Sequence, residues 1–332
     1  MEKPIRIVQI GLGPLGQMMT PYLNERDTLQ VVAAADIDPH KIGQDLGSLC
    51  GLPRPLGVKV TGDLGEALKQ KPHIAVITTV SELEALYPLL EQVVKNGLNV
   101  VSTCEELSFP WKAQADLAQQ IDALARDHGV SVLGTGVNPG FLMDFLPAAA
   151  TAICREVRRI RIERIQDASF RRLPFRQKIG AGLTLEEFQQ RVAEKKLRHV
   201  GLTESMHMLA TRLGWELDRT EDTIEPVVAE VEVSGDGWTV RPGMATGVTQ
   251  IGRGYSGGRE VLTLIFRAAV GEKQPRDCIQ IEGTPEVTLT IPGGINGDIA
   301  TCSIVTNAIP VVVDAPPGLR TMVDIPPISF FR

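Results

Sequence analysis

"IRIVQIGLGPLGQMMTPYLNE", Ile5–Glu25, decides the fold. An apolar run stops in glycine and a helix-forming stretch begins at once. Gly11, Gly13 and Gly16 stand in GxGxxG spacing, which gains meaning only between a strand and a helix, the context here. Gly11 permits a tight turn, Gly13 lets the backbone approach a pyrophosphate, and Gly16 lets the helix pack close to the strand. Pro14 falls in the first helical turn, where a missing N–H costs nothing, with Leu15 beside it in the loop. The helix N-terminus offers unpaired N–H donors and a partial positive charge to an anion. The next strand, "LQVVAAAD", ends in Asp36, twenty residues beyond Gly16. An acid there accepts hydrogen bonds from the adenosine ribose and repels a 2′-phosphate, which favours NAD. Lys41 lies nearby in "DPHK" and could tolerate the phosphate, so NADP stays open.

Outward from this unit the alternation continues. "GVKVTG", "HIAVITTV", "NVVST" and "VSVLGTG" read as strands, with helices "LGEALKQK", "LEALYPLLEQVVKNG" and "KAQADLAQQIDALARDHG" between them. Strands alternating with helices predict a parallel sheet covered on both faces. Residues 1–141 therefore form a doubly wound, Rossmann-type α/β domain. Residues 142–296 read as an α+β domain with a mainly antiparallel sheet. Its strands are "VRRIRIERIQD", "VVAEVEV", "GVTQIGRGY", "VLTLIFRAA", "CIQIEG" and "EVTLTI". Its helices are "TLEEFQQRVAEKKL", with a Thr184–Glu187 capping box, and "TESMHMLATRLGW". "GDIATCSIVTNAIPVVVDA" reads as a buried helix that Pro310 kinks or ends, and the segment 297–332 is expected to pack back on the first domain.

Composition narrows the function. The 332 residues are 43% hydrophobic and 22% charged, an ordinary globular balance. A net charge of -6 argues against a nucleic-acid surface, and aromatics at 5% offer no base-stacking platform. No apolar run is long enough to span a bilayer, and the opening strand leaves no room for a signal peptide. Five scattered cysteines lack metal-ligand spacing, so no metal is expected, and their dispersion fits a reducing cytoplasm.

Ligands of open parallel sheets sit beyond the carboxyl ends of the strands. Those ends offer Thr78 and Thr79; then Ser102, Thr103, Cys104, Glu105 and Glu106; then Thr135, Asn138, Pro139 and Gly140. A carboxylate beside a nicotinamide can act as a general base or hold a cationic amine. Glu105 is nearer the strand end and ranks first, with Glu106 left open beside it. Cys104 lacks a partner base and reads as a small buried hydrophobe. The Asn138 amide can both donate and accept, as a nicotinamide carboxamide requires.

"GLGPLG", "STCEELSFP", "GTGVNPGFLMD", "HVGLTESMHMLATRLGW", "IPGGINGDIATCSIVTNAIPVV" and "APPGLRTMVDIP" together resemble the 2,4-diaminopentanoate dehydrogenases and the related native amine dehydrogenases. The resemblance runs nearly end to end. It implies the fold of the dihydrodipicolinate-reductase superfamily, a homodimer, and NAD(P)-dependent oxidative deamination of an amine to a ketone with release of ammonia, or the reverse. It also implies a glutamate of "CEELSFP" as the acid/base residue. A diamino-acid substrate would need its carboxylate paired, for which Arg171, Arg172 and Arg176 are the candidates. His199 and Thr203 are further substrate candidates. Two alternatives stand beside this reading. A dihydrodipicolinate-reductase-like imine reductase would be expected to carry a His-His pair, whereas the five histidines here are isolated. A non-catalytic NAD-binding sensor would have no need of Glu105 and Glu106.

Overall fold

The computed structural model describes residues 3–171, 173–235 and 237–332. In chain order the first elements are β1 (Ile5–Ile10), α1 (Pro14–Asn24), β2 (Leu29–Ala35), α2 (Leu46–Leu49), β3 (Val60–Thr61), α3 (Leu64–Leu68), β4 (Ile74–Ile77), α4 (Leu83–Lys95), β5 (Asn99–Ser102), α5 (Ala115–Asp127) and β6 (Ser131–Gly134). Then come α6 (Phe145–Ala150), β7 (Glu156–Asp167), α7 (Leu173–Lys178), α8 (Leu185–Ala193), α9 (Leu202–Arg212), β8 (Arg219–Val228), β9 (Val233–Gly235), β10 (Trp238–Val240), β11 (Ala245–Ser256), β12 (Arg259–Ala269), β13 (Arg276–Thr284) and β14 (Val287–Pro292). The chain finishes with α10 (Gly297–Val313) and β15 (Gly318–Arg320). Two compact units result, one of Met1–Phe141 with Asn296–Arg332, the other of Leu142–Ile295.

The first unit is built on a seven-stranded sheet in the order β15-β6-β5-β4-β1-β2-β3, all parallel. The order reverses between β1 and β4, the switch point where such sheets open a crevice. β4 is buried at every position, as expected of a strand covered on both faces. α4 supplies Leu83, Leu86, Leu90, Val93 and Val94 to the core. Each such side chain contributes about 1.5–3 kcal/mol of burial. α10 buries Cys302, Val305, Thr306, Ala308, Ile309 and Val312, and contacts β4, β5 and β6. It does not end at Pro310 but runs on to Val313.

The second unit carries a six-stranded sheet, β14-β13-β7-β12-β11-β8, mostly antiparallel with one parallel pair, β7 with β12. The predicted strand "VVAEVEV" is two strands. β8 starts earlier, at Arg219, and stops at Val228, and β9 begins at Val233 to form a separate ribbon with β10. The capping box forms: Thr184 Oγ1 accepts from the Glu187 N–H at 3.2 Å while the Glu187 carboxylate accepts from the Thr184 N–H at 2.9 Å. α9 packs against β11, where a side chain on Gly252 would collide with the Met206 methyl. No described helix is long and apolar enough to cross a membrane.

Candidate active site

The glycine loop is shaped by its own backbone. A Cβ on Gly16 would overlap the Gly11 carbonyl oxygen and sit 2.7 Å from Thr78 Oγ1. That hydroxyl donates to the same carbonyl at 2.7 Å, tying β4 to the loop. Gln9, the one amide of β1, is fully buried; its side chain donates to Gly16 O at 2.6 Å and accepts from Thr20 Oγ1 at 2.9 Å. A Cβ on Gly13, by contrast, meets nothing within 4 Å. Gly13 is also the N-cap of α1, which starts at Pro14 and then Leu15, and no side chain caps that helix. The loop thus keeps open space in front of an uncapped helix N-terminus. That is the room and the donor set that a dinucleotide pyrophosphate needs.

Asp36 stands at the end of β2. Its Oδ2 accepts from the Leu12 N–H at 2.6 Å and from Lys41 Nζ at 3.1 Å, and its Oδ1 accepts from the Asp38 N–H at 2.8 Å. Burial pushes the carboxyl up, but the two N–H donors and the lysine outweigh it and hold the group below the ordinary aspartate value.

The end of β5 separates the two neighbouring acids. Glu105 opens a 3-10 turn, Glu105–Ser108, whose N-cap is Cys104. Its carbonyl accepts from Ser108 Oγ at 2.6 Å. Glu106 points back into its own unit. Its Oε2 accepts from the Leu83 N–H at 2.9 Å and from the Gln114 amide at 2.7 Å. Glu106 thereby caps α4, whose own N-cap Glu82 makes no side-chain bond. Cys104 is buried and its thiol donates to the Ser81 carbonyl at 3.1 Å. Burial pushes that thiol up to about 12, which leaves no thiolate at neutral pH. Ser102 is buried too, accepting from the Cys104 N–H at 3.2 Å, and the Thr103 N–H donates to Ile77 O. Thr79 is exposed beside Gly11.

Gly134, the last residue of β6, lies directly under the acidic turn, where a Cβ would sit 2.6 Å from the Leu107 carbonyl carbon. Beyond it Thr135 is buried, the Val137 N–H donates to Thr301 Oγ1 at 3.2 Å, and Asn138 is 8% exposed. Gly140 has φ +126° and folds the corner onto itself, 2.6 Å from Gly136 N for an added Cβ. The glycine loop, the Thr78 corner, the acidic turn and this Asn138–Pro139–Gly140 corner all follow carboxyl ends of strands of one parallel sheet. Gln9, Gln114 and Thr301 shape them without having been singled out as site residues. Gln9 was visible as a lone amide in an apolar strand; Gln114 and Thr301 had no sequence signal.

The second unit distributes its candidates differently. Arg171 stacks on Phe175, 4.0 Å from the ring centroid, and Arg176 lies 5.5 Å from that of Trp238. Arg172 lies outside the described residues. The His199 ring stacks on Phe266 at 4.3 Å, and the His199 backbone N–H donates to Gln250 Oε1 at 2.7 Å. Burial, with Lys178 and Arg164 nearby, pushes its imidazole down to about 3, so it is neutral. Thr203 sits in the first turn of α9, half-buried. A cavity of about 240 Å³ opens beside α6 and β14, lined by Leu142, Met143, Ile162, Ile279 and Leu289 with Arg164 and Asp277. None of the candidate residues lines it. Among the described residues no group of three or more His, Cys, Asp or Glu is placed to hold a metal.

Strand order, glycine loop and terminal acid define the class: an NAD(P)-binding oxidoreductase with an N-terminal Rossmann domain. Residues 5–124 match the family described as dihydrodipicolinate reductase, N-terminus, and residues 141–331 match the 2,4-diaminopentanoate dehydrogenase C-terminal domain. The chain is 31% identical to 2,4-diaminopentanoate dehydrogenase of Acetoanaerobium sticklandii, over 98% of this chain and 94% of that protein. It is 24% identical to an amine dehydrogenase of Streptomyces virginiae, over 97% and 96% of the two chains. The solved amine dehydrogenase of Mycobacterium smegmatis superposes with a TM-score of 0.86 at 27% identity, covering 98% of this chain and 97% of that one. The chain belongs to the 2,4-diaminopentanoate dehydrogenase family.

Proposed function

We propose that this protein catalyses NAD(P)-dependent oxidative deamination of an amine to a ketone with release of ammonia, and the reverse reductive amination, with Glu105 as the acid/base residue. One observation carries the assignment of the residue. Glu106 is committed to the Leu83 N–H and the Gln114 amide, whereas Glu105 heads the turn that follows β5 on the same sheet as the glycine loop. The relatives named for amine substrates support the reaction class.

The loop Gly11–Gly16 binds the pyrophosphate through backbone N–H groups, and Asp36 receives the ribose. A bound nicotinamide would supply the hydride chemistry at the amine-bearing carbon. The Glu105 carboxylate accepts a proton from the substrate ammonium before that step. It passes that proton to solvent, and only then takes a proton from the water that adds to the imine carbon and returns it to the nitrogen as ammonia departs. A carboxylate suits both steps because ammonium and imine are cationic. Thr135 and Asn138 orient the carboxamide end. Diamino acids and simple amines are both within this reading. The working form is a homodimer in the cytoplasm. Five free cysteines suit that compartment.

The test offers the protein NAD and NADP with 2,4-diaminopentanoate beside a panel of simple amines, and follows nicotinamide absorbance in the wild type, Glu105→Gln and Glu106→Gln. Turnover that disappears in Glu105→Gln supports the reading. A protein that binds cofactor but turns over no amine sinks it and favours a sensor.

A further inference from the structure

We propose that Gln114 is a positioning residue for Glu105: acting through Glu106, it holds the acidic turn at the end of β5 in its working shape. The proposal rests on Glu105 being the acid/base residue.

The turn Glu105–Ser108 is a 3-10 turn of four residues. Such turns have poor internal hydrogen-bond geometry, so neighbours must fix their shape. From the loop after β4, the Ser81 carbonyl accepts from the Glu106 N–H at 3.3 Å and from the Cys104 thiol at 3.1 Å. From below, Gly134 sits so close that an added Cβ would be 2.7 Å from Ser108 N. From the starts of α4 and α5, the Leu83 N–H and the Gln114 amide both donate to Glu106 Oε2, at 2.9 Å and 2.7 Å. Glu106 follows Glu105 directly, so whatever fixes its side chain limits how the peptide between them turns.

Gln114 shows which contact serves the turn rather than the fold. It is the N-cap of α5, yet its side chain caps nothing there. Its backbone is fixed at the helix start, its N–H donating to Pro110 O at 2.9 Å and its carbonyl accepting from the Ala118 N–H at 2.9 Å. Its Oε1 is buried and meets no hydrogen-bond partner among the described residues. A buried acceptor left unmade weakens a fold, and an apolar side chain of similar size would avoid that penalty. What the amide secures is its charge-assisted bond to Glu106. A general acid/base needs its carboxylate within hydrogen-bond reach of each proton it moves, and a shift of about 1 Å can cost about a hundredfold in rate. Gln114 thus gives up some stability for the placing of the turn.

The test compares the wild type with Gln114→Leu, Gln114→Glu, the double exchange Glu106→Gln with Gln114→Glu, and Glu105→Gln. Each whole protein is assayed for kcat and KM with the amine that the wild type turns over best, for NADH Kd by fluorescence titration, and for its urea midpoint. Gln114→Leu should lower kcat about tenfold while KM and the NADH Kd stay within about twofold and the urea midpoint does not fall. Gln114→Glu sets a carboxylate against a carboxylate and should lower kcat at least as far. The double exchange rebuilds the bond with donor and acceptor reversed and should return kcat to within about threefold of the wild type. A kcat unmoved by Gln114→Leu, a kcat that falls only as the folded fraction falls, or a double exchange no faster than Gln114→Glu overturns the proposal. Glu105→Gln as active as the wild type, or a wild type without amine turnover, overturns the acid/base reading and this inference with it. An inactive Glu105→Gln beside a fully active Gln114→Leu overturns this inference alone.

Discussion

The carboxyl end of the seven-stranded sheet and the interior of the six-stranded sheet both gather polar side chains, but spend them differently. Around the first, backbone shapes the space: α1 starts uncapped, Gly13 faces open room, and Glu105 heads a turn. Inside the second, polar groups consume one another. Arg164 pairs with Asp277 at 3.0 Å and donates to Ile295 O at 3.2 Å, with both ionic side chains at most 5% exposed. Gln250 donates to Asp222 at 2.9 Å and accepts from the His199 N–H. The difference teaches that a polar residue deep in a sheet is weak evidence of a site until its partners are counted. The uncapped start of α1 keeps donors for an anion; matched pairs hold the fold.

The sharpest way to break this contrast is to remove one group from each side. Glu105→Gln should lower kcat by about 10²- to 10⁴-fold, the range for losing a general acid/base, with little change in the urea midpoint. If instead it unfolds the protein, the end of β5 is structural. Arg164→Met should lower unfolding free energy by about 3–5 kcal/mol, because Asp277 is then buried without its partner. Urea titration would show the loss, and the double variant with Asp277→Leu should recover much of it.

His199 sharpens the comparison through pH. Its folded pKa is depressed to about 3, while an unfolded histidine protonates near 6.5. The unfolded chain therefore binds the extra proton first as pH falls. Stability should be fully present above about pH 6.5 and drop by about 1.4 kcal/mol per unit between there and about 3. His199→Phe should flatten that slope in denaturation curves taken across the range; an unchanged slope would show that His199 is not the group responsible. The smallest effect belongs to Glu106→Ala. Loss of the α4 cap should cost about 1 kcal/mol in thermal or urea unfolding. A loss of turnover comparable with Glu105→Gln would reverse the roles assigned to the two acids.

Much of the first unit was legible because local rules and tertiary context agree there. A buried parallel strand must be apolar throughout, a glycine-to-helix transition must be tight, and Pro14 must stand at a helix start. Legibility failed where local signals compete. "VVAEVEV" has strand composition along its whole length, yet pairing with β11 ends at Val228 and the next strand joins a different ribbon. Pro310 forbids one hydrogen bond, but a helix buried along five further apolar positions tolerates that loss and continues to Val313. Neither outcome is written in a window of a dozen residues.

The sequence by itself determined the class of domain, the glycine loop with Asp36, and the strand ends where chemistry collects, since spacing along the chain sets period, turns and charge. Only the tertiary structure showed that Glu106 caps α4, since that depends on where Leu83 and Gln114 stand in space. It alone paired Arg164 with Asp277 across two strands far apart in the chain, and turned Lys41 onto Asp36. Hydrogen bonds and ion pairs are short-range and directional. Which polar groups they satisfy, and which they leave for a ligand, is fixed only once distant segments have been packed against each other.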